Sequence, residues 1–389
     1  MRSTSTIRRR HASLHRWWAA PLVLSMVGAP LAAAADEEPR PEADTVLSSY
    51  GEVNFNRPRQ ARDAQMDLRR FVLGLEHRFD EHTKMAAEVE VEHAVSSADD
   101  PGEVEIEQAW VERELGQSWR ARAGLFLIPM GLLNENHEPT AYYGVERNFV
   151  ETAIIPTTWR EGGLQVTAIL ASGVTVEAGL TTSFDLNKWD ATSTEGQESP
   201  LGAVHQELAL ARARDWGGHL AVNWRGVPGL LVGAAGFAGN GTQGEAGKPQ
   251  AMIVLWDAHL RWTPSRFDLS ALYARGTISN TARLNGPLVG SPSLIPAEFD
   301  GWYVQAAVRA WAWRELTLSP FARYERYNTG RQYQDLGPGL TPPALPTQGV
   351  ITLGANLAVG PGVVLKADVQ SFQAEHDRDR LDLGLGWSF

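Results

Sequence analysis

Charged side chains recur at every second residue early in this chain. Lys84, Glu88, Glu90 and Glu92 form one row, Glu105 and Glu107 a second, and Arg120 and Arg122 a third. Residues i, i+2 and i+4 of an extended strand share one face, so each row is a line of charge along one side of a strand. Carboxylates set against guanidiniums across water create a transverse field, and rings of fixed charge select ions. The plainer alternative is a solvated wall whose neighbours neutralise one another, with Arg120 and Arg122 pairing Glu105 and Glu107. Catalysis is less well served. His219, Asp257 and His259 fall on polar faces, but Asp257 and His259 are successive positions of one strand and read as wall residues. There is no G-x-S-x-G, H-E-x-x-H, P-loop or dinucleotide fingerprint, and no cysteine to help build a zinc site. No cofactor is implied.

The elements that must position these charges read with period two. Met85, Ala87, Val89 and Val91 alternate with charged residues. So do Met252, Val254, Trp256, Leu260 and Trp262, and Leu381, Leu383, Leu385, Trp387 and Phe389 alternate with small or polar ones. One apolar and one polar face suit a wall between lipid and water. The pattern predicts sixteen strands, near 47–56, 67–79, 83–94, 103–115, 117–128, 162–170, 174–182, 215–225, 229–238, 251–263, 266–276, 300–312, 316–327, 348–359, 362–373 and 381–389. Short turns alternate with long connections, as in outer-membrane barrels. Val204–Arg214 reads as a strand or as a short helix with Leu208 and Leu210 inward. A strand there would break the even count, so the segment is assigned to the fourth long loop. On this scheme the polar face also carries Arg70, Glu76, Arg78 and Arg113. Of the fourteen tryptophans, Trp110, Trp119, Trp224, Trp262 and Trp302 fall near strand ends on the apolar face, where interfacial girdles would place them.

The ends agree. Arg2, Arg8, Arg9, Arg10 and Arg16 precede an apolar run from Trp17 to Leu31 and four alanines before Asp36, the order of a cleaved signal peptide over 1–35. A charged, proline-bearing leader over 36–46 follows, then one barrel domain over 47–389. Loss of the five arginines takes the net charge from −11 to −16, which argues against a nucleic-acid partner. Past the signal, no apolar stretch is long enough for a helical span.

Several motifs together resemble one family. Ser49-Tyr50-Gly51-Glu52-Val53-Asn54-Phe55-Asn56 opens the series, followed by Glu107-Gln108-Ala109-Trp110-Val111 and Ala123-Gly124-Leu125-Phe126-Leu127-Ile128-Pro129-Met130-Gly131. Asn134-Glu135-Asn136-His137-Glu138-Pro139-Thr140, Tyr143-Gly144-Val145-Glu146-Arg147 and Ile155-Pro156-Thr157-Thr158-Trp159-Arg160-Glu161 are the densest part. Ser270–Gly276, Gly301–Val304, Pro320–Tyr327 and the terminal Trp387-Ser388-Phe389 complete it. The chain resembles the phosphate-selective (O/P-type) porins over nearly its whole mature length. The resemblance implies a homotrimeric, sixteen-stranded transmembrane barrel in the bacterial outer membrane that passes small ions and solutes. It implies a third external loop, about 129–161, folded into the barrel, and a C-terminal aromatic, Phe389, read by the barrel-insertion machinery. A barrel enzyme of lipase or protease type and a purely structural barrel are the alternatives.

Glu135, Glu138, Glu146, Arg147 and Arg160 of that loop, with Glu88, Glu90, Glu105, Glu107, Arg120 and Arg122 of the wall, are the candidate pore-lining groups. An inserted loop must also satisfy its own polar groups, so some of these are expected to anchor it. His137 reads as a hydrogen-bonded structural histidine. Phosphate selectivity in the family is ascribed to an arginine ladder and a lysine cluster, but 129–161 contains no lysine. The expectation is mild anion preference without tight phosphate binding.

Overall fold

The computed structural model describes residues 44–59, 64–97 and 99–389. The expected signal peptide and residues 36–43 of the expected leader lie outside them, and Thr45 and Val46 of that leader belong to the first strand. The strands are β1 (Thr45–Pro58), β2 (Gln65–Arg78), β3 (Thr83–Glu92), β4 (Glu103–Glu114), β5 (Trp119–Leu127), β6 (Arg160–Ile169), β7 (Val174–Thr182), β8 (Trp216–Val227) and β9 (Leu230–Asn240). They continue as β10 (Met252–Trp262), β11 (Phe267–Ile278), β12 (Glu298–Val308), β13 (Trp311–Trp313), β14 (Leu316–Gln332), β15 (Gln348–Val359), β16 (Val363–Phe372) and β17 (Arg380–Ser388). Neighbours pair antiparallel, and β1 pairs with β17 to close the sheet. The three residues of β13 pair with the same β14 that β12 uses, so β12 and β13 are one stave interrupted at Arg309 and Ala310. The result is an all-β, sixteen-stave antiparallel barrel, as the periodicity predicts. Closing the sheet on itself pairs the staves' backbones with one another in place of water.

Val204–Arg214 is loop. Glu207, Leu208 and Leu210 take left-handed φ values of 52°, 57° and 52°. Leu208 lies against Gly162 of β6, where a Cβ would come within 2.3 Å of its Cδ1, and Leu210 is fully exposed. The helix with both leucines inward is not what forms. Outward-facing Leu164, Leu180, Leu220 and Leu353 are more than half exposed and belong to an apolar outer band. Such a band is the surface that lipid covers in a barrel.

Two β-bulges correct the face assignments made from strict alternation. The register slips between Glu88 and Val89, so β4 carries one extra residue there and both Glu107 and Gln108 turn inward. Beyond that point every side chain of β4 changes face. Trp110, expected on the lipid side, is an inward-facing residue only 9% exposed, and Arg113, expected in the lumen, pairs with outward Thr83. A second bulge, between Glu52 and Val53, makes Arg69 the extra residue of β2, beside inward Arg70.

Gly124 of β5 has φ +134°, and a Cβ there would fall 2.3 Å from the Ala109 carbonyl oxygen and 2.7 Å from Trp110 Cα. Gly124→Ala is expected to lower the unfolding free energy by about 1–3 kcal/mol through backbone strain. Urea titration of the folded barrel in lipid vesicles, followed by tryptophan fluorescence, checks this.

Candidate functional site: the lumen and its loop

The connection between β5 and β6 folds into the barrel and is fastened to eight staves. Asn134 staples its two ends, donating to the Ile128 and Trp159 carbonyls and accepting from the Trp159 amide at 2.7 Å. Past this staple, His137 Nε2 sits 2.5 Å from Glu107 Oε1, while the Tyr50 hydroxyl donates to Glu107 Oε2 at 2.6 Å. Arg70, ion-paired with Glu52, donates to the His137 carbonyl at 2.6 Å. The Gly131 amide donates to Asp257 of β10 at 3.0 Å, and the Tyr142 hydroxyl to Glu52 at 2.9 Å. The Gly144 and Val145 amides donate to Asn356 of β15 and Asp368 of β16. Glu325 of β14, held by Arg323, accepts from the Phe149 amide at 2.6 Å. Buried carboxylates that receive amides in this way are worth more than neutral acceptors.

Glu151 is the hub of the loop. It lies in a widened helical turn, Val150–Ile154. Its Oε1 accepts the Leu132 and Leu133 amides at 2.5 and 2.7 Å, and its Oε2 accepts Asn148 Nδ2 and the Tyr303 hydroxyl of β12 at 2.8 and 2.9 Å. Burial pushes the carboxyl pKa above its ordinary value, and these four donors pull against that shift.

The loop also carries apolar side chains into the lumen. Ile128, Ile154, Ile155 and Trp159 pack against lumen-facing Phe126, Phe237, Leu255 and Phe299, and Trp159 stacks on Phe184 at 4.9 Å. The long-loop half of the lumen is therefore partly filled by a hydrophobic core. The polar, open lumen expected from alternation is corrected accordingly. A chain folded inside a barrel needs an apolar seat to offset its ordering entropy.

The candidate pore residues divide between this anchoring and open space. Glu107 is 0% exposed and Arg160 3%, so neither reaches open lumen. Arg160 bridges Glu105 of β4 and Glu207 of the fourth long loop. Glu90 is also buried, beside Arg70. Glu88 accepts from Gln108 at 2.7 Å. Arg120 and Arg122 do not pair with Glu105 and Glu107. The short turn at 115–118 sets the β4–β5 register and the bulge turns Glu112 and Glu114 to the face of these arginines, so Arg122 meets Glu112 at 2.9 Å, its guanidinium 4.1 Å from the Trp110 ring centroid, and Arg120 lies 4.0 Å from Glu114. Glu135 is exposed, in the field of Glu177, Arg122 and Arg225 of the facing wall, and Glu138 is half-exposed.

Glu146 and Arg147 line a cleft of about 260 Å³ between the loop and the wall, with Glu52, Arg69, Arg70, Glu90, Glu92 and Arg380. Arg147 Nη1 donates to the Thr157 and Thr158 hydroxyls at 2.7 and 2.9 Å and has no carboxylate within ion-pair distance among the described residues. Its guanidinium is fixed in place with its charge uncompensated at contact. Sequence reasoning missed Arg69, Arg225, Glu177 and Arg380. Alternation pointed to Glu177 and Arg225, but Arg69 depends on a bulge that no periodicity reveals.

A closed sixteen-stave barrel with an inward third long loop is the porin fold. No family model matches this chain. It is 27% identical over 364 residues to an uncharacterized protein of Aquifex aeolicus, covering 88% of this chain and 79% of that one. Among solved structures it resembles OmpF of Salmonella typhi, solved with daunomycin, at TM-score 0.62 and 13% identity, covering 89% of this chain and 97% of that one. It also resembles an anion-selective porin from Comamonas acidovorans at TM-score 0.55 and 12% identity, covering 90% and 100%.

Proposed function

We propose that this protein is a bacterial outer-membrane diffusion channel for small hydrophilic solutes and ions, with a mild preference for anions. The observation that carries the preference is Arg147, held by two threonine hydroxyls in a narrow cleft with no carboxylate at contact. In a narrow passage such a charge is screened less than at an open surface. Glu92 and Glu146 in the same cleft, and Glu135 and Glu138 elsewhere on the loop, act in the opposite direction, which keeps the preference mild. Tight phosphate binding, the property for which the resembling family is named, lacks its lysine cluster in 129–161. Reversal potential across a KCl gradient tests this, and net cation preference contradicts it.

The functional unit is a homotrimer embedded in outer-membrane lipid. The family resemblance supports this, and fully exposed Leu210 outside the wall is a residue that a neighbouring subunit would cover. Native mass spectrometry from mild detergent is expected to show a trimer, and monomer alone would refute it. Phe389, whose backbone pairs with Ser49 while its ring stays exposed, is the feature offered to the insertion machinery. A barrel hydrolase is the weaker reading, because His259 is occupied on both ring nitrogens by Asp257 and Asn223.

A further inference from the structure

Above the inward loop, at the long-loop end, lies a cavity of about 800 Å³, within the range of small-molecule sites. Its walls come from the third, fourth, seventh and eighth long connections and from the ends of β14 and β15. It shares Phe149 and Thr152 with the charged cleft below, so it stands directly before that cleft.

Its chemistry differs from that of the cleft. Gln197, Asn328 and Gln348 contribute amides, and Thr152, Ser199 and Thr329 contribute hydroxyls. The one lining cation, Arg378, is ion-paired with Glu375 at 3.0 Å. The remaining lining acid, Glu198, accepts from the Thr194 hydroxyl. Phe149 lines the cavity half-buried, its ring stacked on Tyr327 at 5.1 Å and 13°. Gln348 is only 8% exposed, and its Oε1 has no hydrogen-bond partner although its Nε2 donates to Glu375 at 2.9 Å. A buried, unpartnered amide oxygen is costly, and a ligand donor would satisfy it.

We propose that this vestibule is a binding site for a neutral saccharide of two or three units, which loads there before passing the charged cleft. Neutral amides and hydroxyls match sugar hydroxyls, which both donate and accept. Phe149, stacked on buried Tyr327 and with the Arg378 guanidinium 5.7 Å from its ring centroid, offers its remaining exposed part as an apolar contact for the C–H groups of a pyranose. No cation free of an ion pair lines the cavity among the described residues, and one such carboxylate, Glu198, does, so an anionic sugar phosphate is disfavoured there.

Calorimetric titration of the whole folded barrel in detergent with maltotriose tests the proposal without relying on conductance. The expected result is saturable binding that weakens about fivefold in Gln348→Leu and in Thr329→Val, the usual effect of one lost hydrogen bond. Each variant is first checked for native heat-modifiable migration. If Gln348→Leu does not fold, Thr329→Val alone is read. Absence of saturable binding in the wild type, or unchanged affinity in the folded variants, overturns the site. Tighter binding of glucose 6-phosphate than of maltotriose overturns the neutral ligand class.

Discussion

Glu151→Ala is expected to release the inward loop and raise single-channel conductance, while the barrel stays folded. The substitution strands two backbone amides, the Asn148 amide and the Tyr303 hydroxyl. Leaving buried donors unmet costs about 1–3 kcal/mol each, and the losses overlap because one group serves all four. The loop therefore loses several kcal/mol while the wall ladders, which do not involve Glu151, are untouched. Glu151→Gln keeps the shape and one oxygen acceptor, so its effect is expected to be smaller. Limited proteolysis of intact vesicles reads the same event, with cleavage between Gly131 and Thr158 appearing in Glu151→Ala and absent in the wild type. Unchanged conductance together with unchanged proteolysis would show that the other anchors suffice.

Arg147→Glu is expected to turn the proposed mild anion preference into cation preference. Exchanging a positive for a negative unit charge alters the energy of an ion about 5 Å away by roughly 1.7 kcal/mol at the dielectric of water. Mobile ions reduce that, leaving on the order of tenfold in the local cation-to-anion ratio at low salt, and less at high salt. Arg160→Glu is the contrasting case. Arg160 is buried between Glu105 and Glu207, so its reversal is expected to destabilise the wall with little direct effect on permeating ions. Reversal potentials of the two variants, compared at two ionic strengths, separate a charge that ions meet from one that holds structure.

The barrel was legible because period-two patterning survives wherever one face meets lipid. Sixteen staves, the alternation of short turns and long loops, and the loop assignment of Val204–Arg214 all follow from it. Faces were legible only as far as the first bulge. One additional residue at Glu107 reversed Trp110 and Arg113 and turned Glu112 and Glu114 to the face on which they meet Arg122 and Arg120. No local residue choice announces that bulge. The candidate site was harder still. Glu107 and Glu105 look alike in sequence, yet one is sealed behind Tyr50 and His137 and the other pairs with Arg160. Whether a polar lumen residue faces ions or fastens the loop depends on where the loop backbone passes, and that is set by contacts between residues far apart in the chain, such as Arg70 with His137 and Val145 with Asp368. Phe126 and Phe237 illustrate the same point. Each sits at a position whose parity faces the lumen, and the apolar side chains that the loop inserts there explain why it is apolar.

Single-channel recording of the wild-type protein in a planar bilayer tests the central claim most directly. Heat-modifiable, folded protein is expected to give discrete, ohmic steps whose size rises in proportion to salt concentration, because conduction runs through water alongside the inward loop. Folded protein that inserts without any current step would contradict it, and would mean that the loop and its apolar core close the barrel completely.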